Sequence, residues 1–188
     1  ICGFNLSCVG DERAYSYIES REGDTLADNA LQAALIGLDN VKKYSFLERG
    51  SDERQYCSPG IDLPLCGFCR TKYGKYPEYH TSADNFDVVT EKGLNGSFEV
   101  MKTIIDAFET DLFPKLNVKC EPQLSRHNLR NNVSQKGYMG DINTRLDFIA
   151  YADGKHSIFD ISNKINKNLK YVIEEANALS DSHLLHGT

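Results

Sequence analysis

The sequence predicts an α/β fold followed by a small helix-rich unit, and three observations carry that expectation. Residues 1–9 form a strand-like apolar run, Ile1-Cys2-Gly3-Phe4-Asn5-Leu6-Ser7-Cys8-Val9. Beyond it, segments with apolar residues at helical spacing alternate with short strand-like segments, the pattern of an α/β domain. After a stretch rich in Pro, Asn, Ser and Gly, a compact unit begins at Arg145.

The first strand is expected to end at Gly10-Asp11. Asp24-Thr25 reads as a helix start with Asp28 in the first turn. From Leu26 through Tyr44 the residues Leu31, Ala34, Leu35, Leu38 and Val41 recur at helical spacing. Ser45-Phe46-Leu47-Glu48 reads as a short strand, Gly50 to Gly60 as a polar loop, and Leu63 to Arg70 as another strand. Phe98 to Phe108 places Val100, Ile104, Ile105 and Phe108 on one face of a second amphipathic helix. Pro114 to Asp141 has few apolar repeats and reads as irregular.

The second unit opens with the apolar segment Leu146, Phe148, Ile149 and Tyr151. Ser157 is placed to cap a helix whose Ile158, Ile161 and Ile165 face inward. Asn166-Lys167-Asn168 forms a turn, Leu169 to Leu179 the next helix, and Ser182 to Gly187 the start of a hairpin. Helix, helix, turn, helix and a strand-like tail outline a winged-helix-like α+β module. The expected domains are therefore 1–125 and 145–188, with 126–144 as linker.

Composition narrows the function. The chain has 188 residues, 40% of them hydrophobic, which suits a folded protein. No apolar run approaches the ~20 residues of a membrane helix. A net charge of -6 argues against a general affinity for nucleic acid. The six cysteines sit mostly in apolar contexts and are expected to be reduced in a cytoplasmic protein. Cys66-Gly67-Phe68-Cys69 has no second pair at zinc-finger spacing and reads as buried strand. Because the chain opens at Ile1 on a buried-looking strand, it is expected to start inside a larger protein.

Two polar segments carry the chemistry: Gly50-Ser51-Asp52-Glu53-Arg54-Gln55-Tyr56 and Tyr76-Pro77-Glu78-Tyr79-His80-Thr81-Ser82-Ala83-Asp84-Asn85. Carboxylate with histidine is the ligand set of a hydrolytic zinc site. His80 is the strongest candidate, against the alternative of a solvated loop histidine. Asp11 lies beyond the carboxyl end of a strand, where α/β sheets bind ligands, or is a plain turn aspartate. Asp52 and Glu53 either face a substrate or form a solvated charge run with Arg54.

These two segments, with Cys8-Val9-Gly10-Asp11-Glu12-Arg13-Ala14-Tyr15-Ser16-Tyr17, resemble a bacterial aminopeptidase-like family related to the co-catalytic zinc exopeptidases of the leucyl aminopeptidase type. The resemblance covers residues 1–125 and extends to the winged-helix-like tail. It implies the C-terminal part of a three-layer α/β/α zinc exopeptidase-like domain. His80 matches the last histidine ligand and Asp11 a carboxylate ligand. Asp52 and Glu53 match the loop lining the substrate pocket, with Glu53 in place of the usual histidine, and Tyr56 and Tyr79 line the same pocket.

The resemblance further implies two zinc ions and a peptide or aminoacyl substrate. The general base and the remaining ligands would precede Ile1, in a missing N-terminal part, so no catalytic residue is expected in this chain and it should be inactive alone. Glu174-Glu175 reads instead as a solvated helix face. Lys164, Lys167 and Lys170 are followed by Glu174, Glu175 and Asp181, a poor phosphate-binding face. Docking or homo-oligomerisation is the role expected of the module. A zinc-dependent aminopeptidase is the resulting expectation. Its alternatives are a non-catalytic scaffold in polysaccharide biosynthesis and a winged-helix nucleic-acid-binding regulator.

Overall fold

The computed structural model describes residues 2–127, 129 and 140–186. Contacts divide the chain into two compact units, Ile1–Lys102 and Thr103–Thr188. The first unit is built on a four-stranded mixed sheet. Its strands are β1 (Gly3–Leu6), β2 (Tyr15–Ile18), β3 (Val41–Tyr44) and β4 (Leu65–Cys69), in the order β1-β4-β2-β3. β4 runs parallel to β1, from Gly3 opposite Leu65 to Leu6 opposite Phe68, and antiparallel to β2. β2 and β3 are parallel. The carboxyl ends of β1 and β4 therefore emerge at one end of the sheet, and those of β2 and β3 at the other.

Helix α1 (Leu26–Leu35) packs against β4 through a small-residue face that buries Ala27, Ala30, Leu31 and Ala34. Its start is fixed by a capping box in which Thr25 N–H and hydroxyl both donate to Asp28, at 2.9 and 2.6 Å. Asp28 is buried and also receives Ser20 N–H, Ser20 hydroxyl and the Cys66 thiol. The helix stops at Leu35 instead of running to Tyr44. Gly37 and Asn40 take positive φ (82° and 54°), which turns the chain into β3. Phe46–Glu48 is a 3-10 turn rather than a strand, because the Ser45 hydroxyl caps it by accepting Leu47 N–H.

β2 was not expected from the sequence, and a four-residue helix, α2 (Glu53–Tyr56), interrupts the expected loop. The second amphipathic helix, α3, begins earlier than expected and spans Glu91–Phe108. Its first turns lie on the chain after β1, where Thr90 N–H and Ser97 hydroxyl donate to the carbonyls of Gly10 and Val9. Gly93 permits this approach, since a Cβ there would overlap the Gly10 carbonyl.

In the second unit, α4 (Gly140–Tyr151), α5 (Ile158–Ile165) and α6 (Leu169–Asp181) pack on one another. Phe148, Ile158, Phe159, Ile161, Leu169, Val172 and Leu179 fill the interior. Ser157 caps α5 in a capping box with Asp160, Asn166 ends it at φ 51°, and Asn168 caps α6 by accepting Lys170 N–H. Up to His186 the tail pairs with the segment after Pro114. Leu185 bridges Leu116, and Lys115 bridges Asp153, so the segment after Pro114 is drawn into this unit. Glu175 is not on a solvated face either: it is 8% exposed and takes a 2.5 Å bond from Arg145 Nε. Residues 128 and 130–139 of the expected linker lie outside the described residues. Among the described residues no helix is long and apolar enough to cross a membrane.

Candidate functional site

Asp11 follows β1, and Thr71 follows β4, at the end of the sheet where both of these parallel strands finish. Asp11 is buried, and its carboxylate accepts Thr71 N–H and Thr71 hydroxyl, each at 2.7 Å, and Arg13 N–H at 2.8 Å. Two of these bonds fall on Oδ1 and one on Oδ2, so Oδ2 keeps a lone pair for a further partner. The same aspartate thus joins the ends of two strands and fixes the backbone of Arg13.

Arg13 connects Asp11 to the histidine segment. Its guanidinium donates two bonds to Glu78, at 2.8 and 3.0 Å, and lies 5.7 Å from the Tyr76 ring. The fork geometry makes this pair directional. The arginine holds the Glu78 carboxyl below its ordinary pKa by direct hydrogen bonding. Two residues on, His80 sits in the left-handed region at φ 58°, exposed, with its ring stacked on Tyr79 at 4.0 Å. Tyr79 in turn packs against Ile18, Cys69 and Tyr73, and meets Tyr73 and Tyr76 at 6.4 and 5.7 Å. The imidazole is therefore presented outward on a tyrosine-backed platform.

Glu53 has no exposed surface. Its carboxylate accepts Asn5 Nδ2 at 2.8 Å, Gly50 N–H at 2.9 Å, Ser51 N–H at 3.0 Å and the Tyr73 hydroxyl. Burial alone would raise its pKa, but the bonds from Tyr73, Gly50 and Ser51 outweigh it and the net shift is downward. Gly50 lies so close over the Tyr73 ring that a Cβ would collide with it. Glu53 thereby ties α2 to β1 and to the segment after β4. Asp52, which precedes α2, and Tyr56, at its end, are exposed.

The structure thus gathers Asp11, Arg13, Glu78, Tyr79 and His80, with Glu53 joined to them through Tyr73 and Tyr79. Arg13, Glu78 and Tyr73 were not singled out from the sequence, since their pairing spans up to 65 residues and leaves no local pattern. A groove of about 560 Å³ lies elsewhere, lined by Glu19, Arg21, Asp24, Phe46, Leu47 and Pro59 among others; none of the expected site residues lines it.

Asp11 and His80 offer two ligands, and among the described residues no three His, Cys, Asp or Glu side chains converge as a metal ion requires.

Residues 1–111 match a family described as a domain of unknown function, DUF4910. The chain belongs to this family. Behind its DUF4910 part, residues 112–187 match a winged helix-turn-helix model. A relative from Clostridium acetobutylicum, described as a "putative polysaccharide biosynthesis protein with aminopeptidase-like domain", is 32% identical over 186 residues, covering 97% of this chain and 43% of the relative. The crystal structure of a "putative peptidase" from the same organism matches with a TM-score of 0.81 and 32% identity, over 98% of this chain and 41% of that one. The DUF4910 chain spans about two fifths of the length of both proteins. The aminopeptidase-like resemblance of the residue 50–60 and 76–85 motifs agrees with the name of the first relative, and the name of the second is peptidase.

Proposed function

We propose that this chain forms the substrate-facing part of a zinc-dependent aminopeptidase, acting on an N-terminal peptide bond or related amide. The observation that carries the reading is the match of nearly the whole chain to relatives named as aminopeptidase-like and peptidase. In this reading Asp11 and His80 are ligands, and the remaining ligands and the general base come from residues other than those described. Arg13 and Glu78 hold the His80 segment beside Asp11. Tyr79 supports the imidazole, while Asp52 and Tyr56, exposed at the two ends of α2, meet the substrate amine. Glu53, enclosed, positions α2 rather than touching substrate.

The test is hydrolysis of leucine p-nitroanilide by the full-length protein, with zinc and with a chelator. Zinc-dependent turnover is expected, and His80→Asn should reduce it by at least the roughly 10- to 100-fold that even outer-shell losses cost a metal enzyme. Zinc binding without turnover would leave the second reading, a non-catalytic scaffold. The relative's name includes polysaccharide biosynthesis, the context of that second reading. A winged-helix regulator would require salt-dependent DNA binding, which the acidic residues along α6 oppose.

A further inference from the structure

Just before Asp11 the chain departs from the ladder that β1 makes with β4. Gly3 to Leu6 pair in parallel register with Leu65 to Phe68, and Ser7 N–H continues the pattern by donating to the Phe68 carbonyl at 3.1 Å. The next bond breaks it. Register would send Arg70 N–H to the carbonyl of Ser7, but it donates to that of Cys8 at 2.9 Å. Ser7 and Cys8 therefore stand together opposite Cys69, as in a β-bulge. Cys8 takes φ 53°, a left-handed conformation that costs strain in a residue other than glycine.

The bulge sets two thiols side by side. Cys8 packs against the buried cluster of Ile18, Cys69 and Tyr73, so both side chains lie on that face of the sheet. Cys66 points the other way, its thiol donating to Asp28. Neighbouring strands run about 4.8 Å apart, inside the Cα separation of about 4.4–6.8 Å that a disulfide spans. Both cysteines are free thiols, Cys8 half-buried and Cys69 fully enclosed. Burial, and after it the neighbouring Cys8, pushes the Cys69 thiol up to about 12. Cys69 therefore cannot begin a reaction with an oxidant, whereas Cys8, which keeps exposed surface, can.

We propose that Cys8 and Cys69 are a reversible oxidation site, closing to a disulfide by exchange with a low-molecular-weight disulfide such as oxidised glutathione. The Cys8 thiolate attacks one glutathione sulfur, forming a mixed disulfide, and the first glutathione leaves with the proton that Cys8 gave up. Cys69 then loses its proton and attacks the Cys8 sulfur. The bond from Cys8 to glutathione breaks, and a second glutathione leaves with that proton. Two protein thiols are oxidised as one small disulfide is reduced. The high pKa of Cys69 slows the second step, and its fixed place beside Cys8 offsets this. The Tyr76 hydroxyl pairs with the Cys8 side chain and donates to Asp84 at 2.9 Å. Its ring packs edge-on against Tyr79, the platform of His80, so closure reaches the His80 segment. An effect on turnover rests on the aminopeptidase reading; the oxidation itself does not.

Peptide mapping by mass spectrometry tests this on full-length protein incubated with oxidised glutathione, quenched in acid and alkylated as it unfolds. A peptide pair joined through Cys8 and Cys69, two hydrogens lighter than its reduced parts and released by dithiothreitol, is expected. In Cys69→Ala, Cys8 should stop at the glutathione adduct, and in Cys8→Ser, Cys69 should remain a thiol. Cys66→Ser should still close the pair. Circular-dichroism melting checks that the Ala variant is folded, and Cys69→Ser replaces it if not. Absence of the joined peptides from the oxidised native sequence, or glutathione on Cys8 beside an unreacted Cys69, overturns the proposal. Because the readout is a mass and not a turnover, failure of the hydrolysis assay leaves this result readable.

Discussion

Glu53 illustrates how a carboxylate is buried without a cation: four donors from Asn5, Gly50, Ser51 and Tyr73 replace its water. Replacing it by Ala should orphan these donors and cost about 3 kcal/mol, read as a lower midpoint in urea unfolding. Its pKa is lowered in the folded state, as is that of Asp28, where bonds from Ser20 and Thr25 outweigh the upward effect of burial. The unfolded chain therefore takes up protons first as pH falls. The stability these two groups supply is complete above the ordinary carboxylate range, near pH 4 to 4.5. It is lost as pH falls through their folded values. Melting temperature against pH should accordingly drop on the acid side of about 4.5, and less steeply in Glu53→Gln. Of these two residues, Asp28 was legible, because a capping box spans only three positions. The enclosure of Glu53 was not legible, because the donors from Asn5 and Tyr73 lie 48 and 20 residues away.

At the level of elements, the amphipathic helices were readable wherever one face alone is buried, as in α3, α5 and α6. The overrun of α1 to Tyr44 arose because Leu38 and Val41 fall on the helical period by coincidence, while the turn residues Gly37 and Asn40 carried the contrary signal. β2 is short and, apart from Tyr15, buried, so it shows no alternation to read. Two substitutions probe the joints. Gly93→Ala should push α3 off the Gly10 carbonyl and cost about 2 kcal/mol or more, with faster amide exchange at Thr90 as the local sign. Ser157→Ala should cost about 1 kcal/mol through loss of the α5 cap, measurable as a shift in thermal midpoint.

On the scale of the whole chain, the α/β class and the two-part organisation follow from patterns repeated over many residues. The candidate site does not, because Arg13–Glu78 and Asp11–Thr71 are products of the sheet order. With two candidate ligands gathered, the 188-residue chain is expected to show the same melting temperature with zinc or with a chelator. A marked zinc-induced rise would reveal a centre assembled from this chain alone. The sheet order has another consequence, at its margins. Among the described residues β1 and β3 are the outer strands: β3 carries Lys42 and Lys43, whereas Gly3-Phe4-Asn5-Leu6 has no charge and leaves Leu6 52% exposed. Lysines discourage edge-to-edge pairing, and an uncharged margin invites it. Self-association of the concentrated chain should therefore proceed through β1, appear as concentration-dependent sedimentation, and recede in Leu6→Lys.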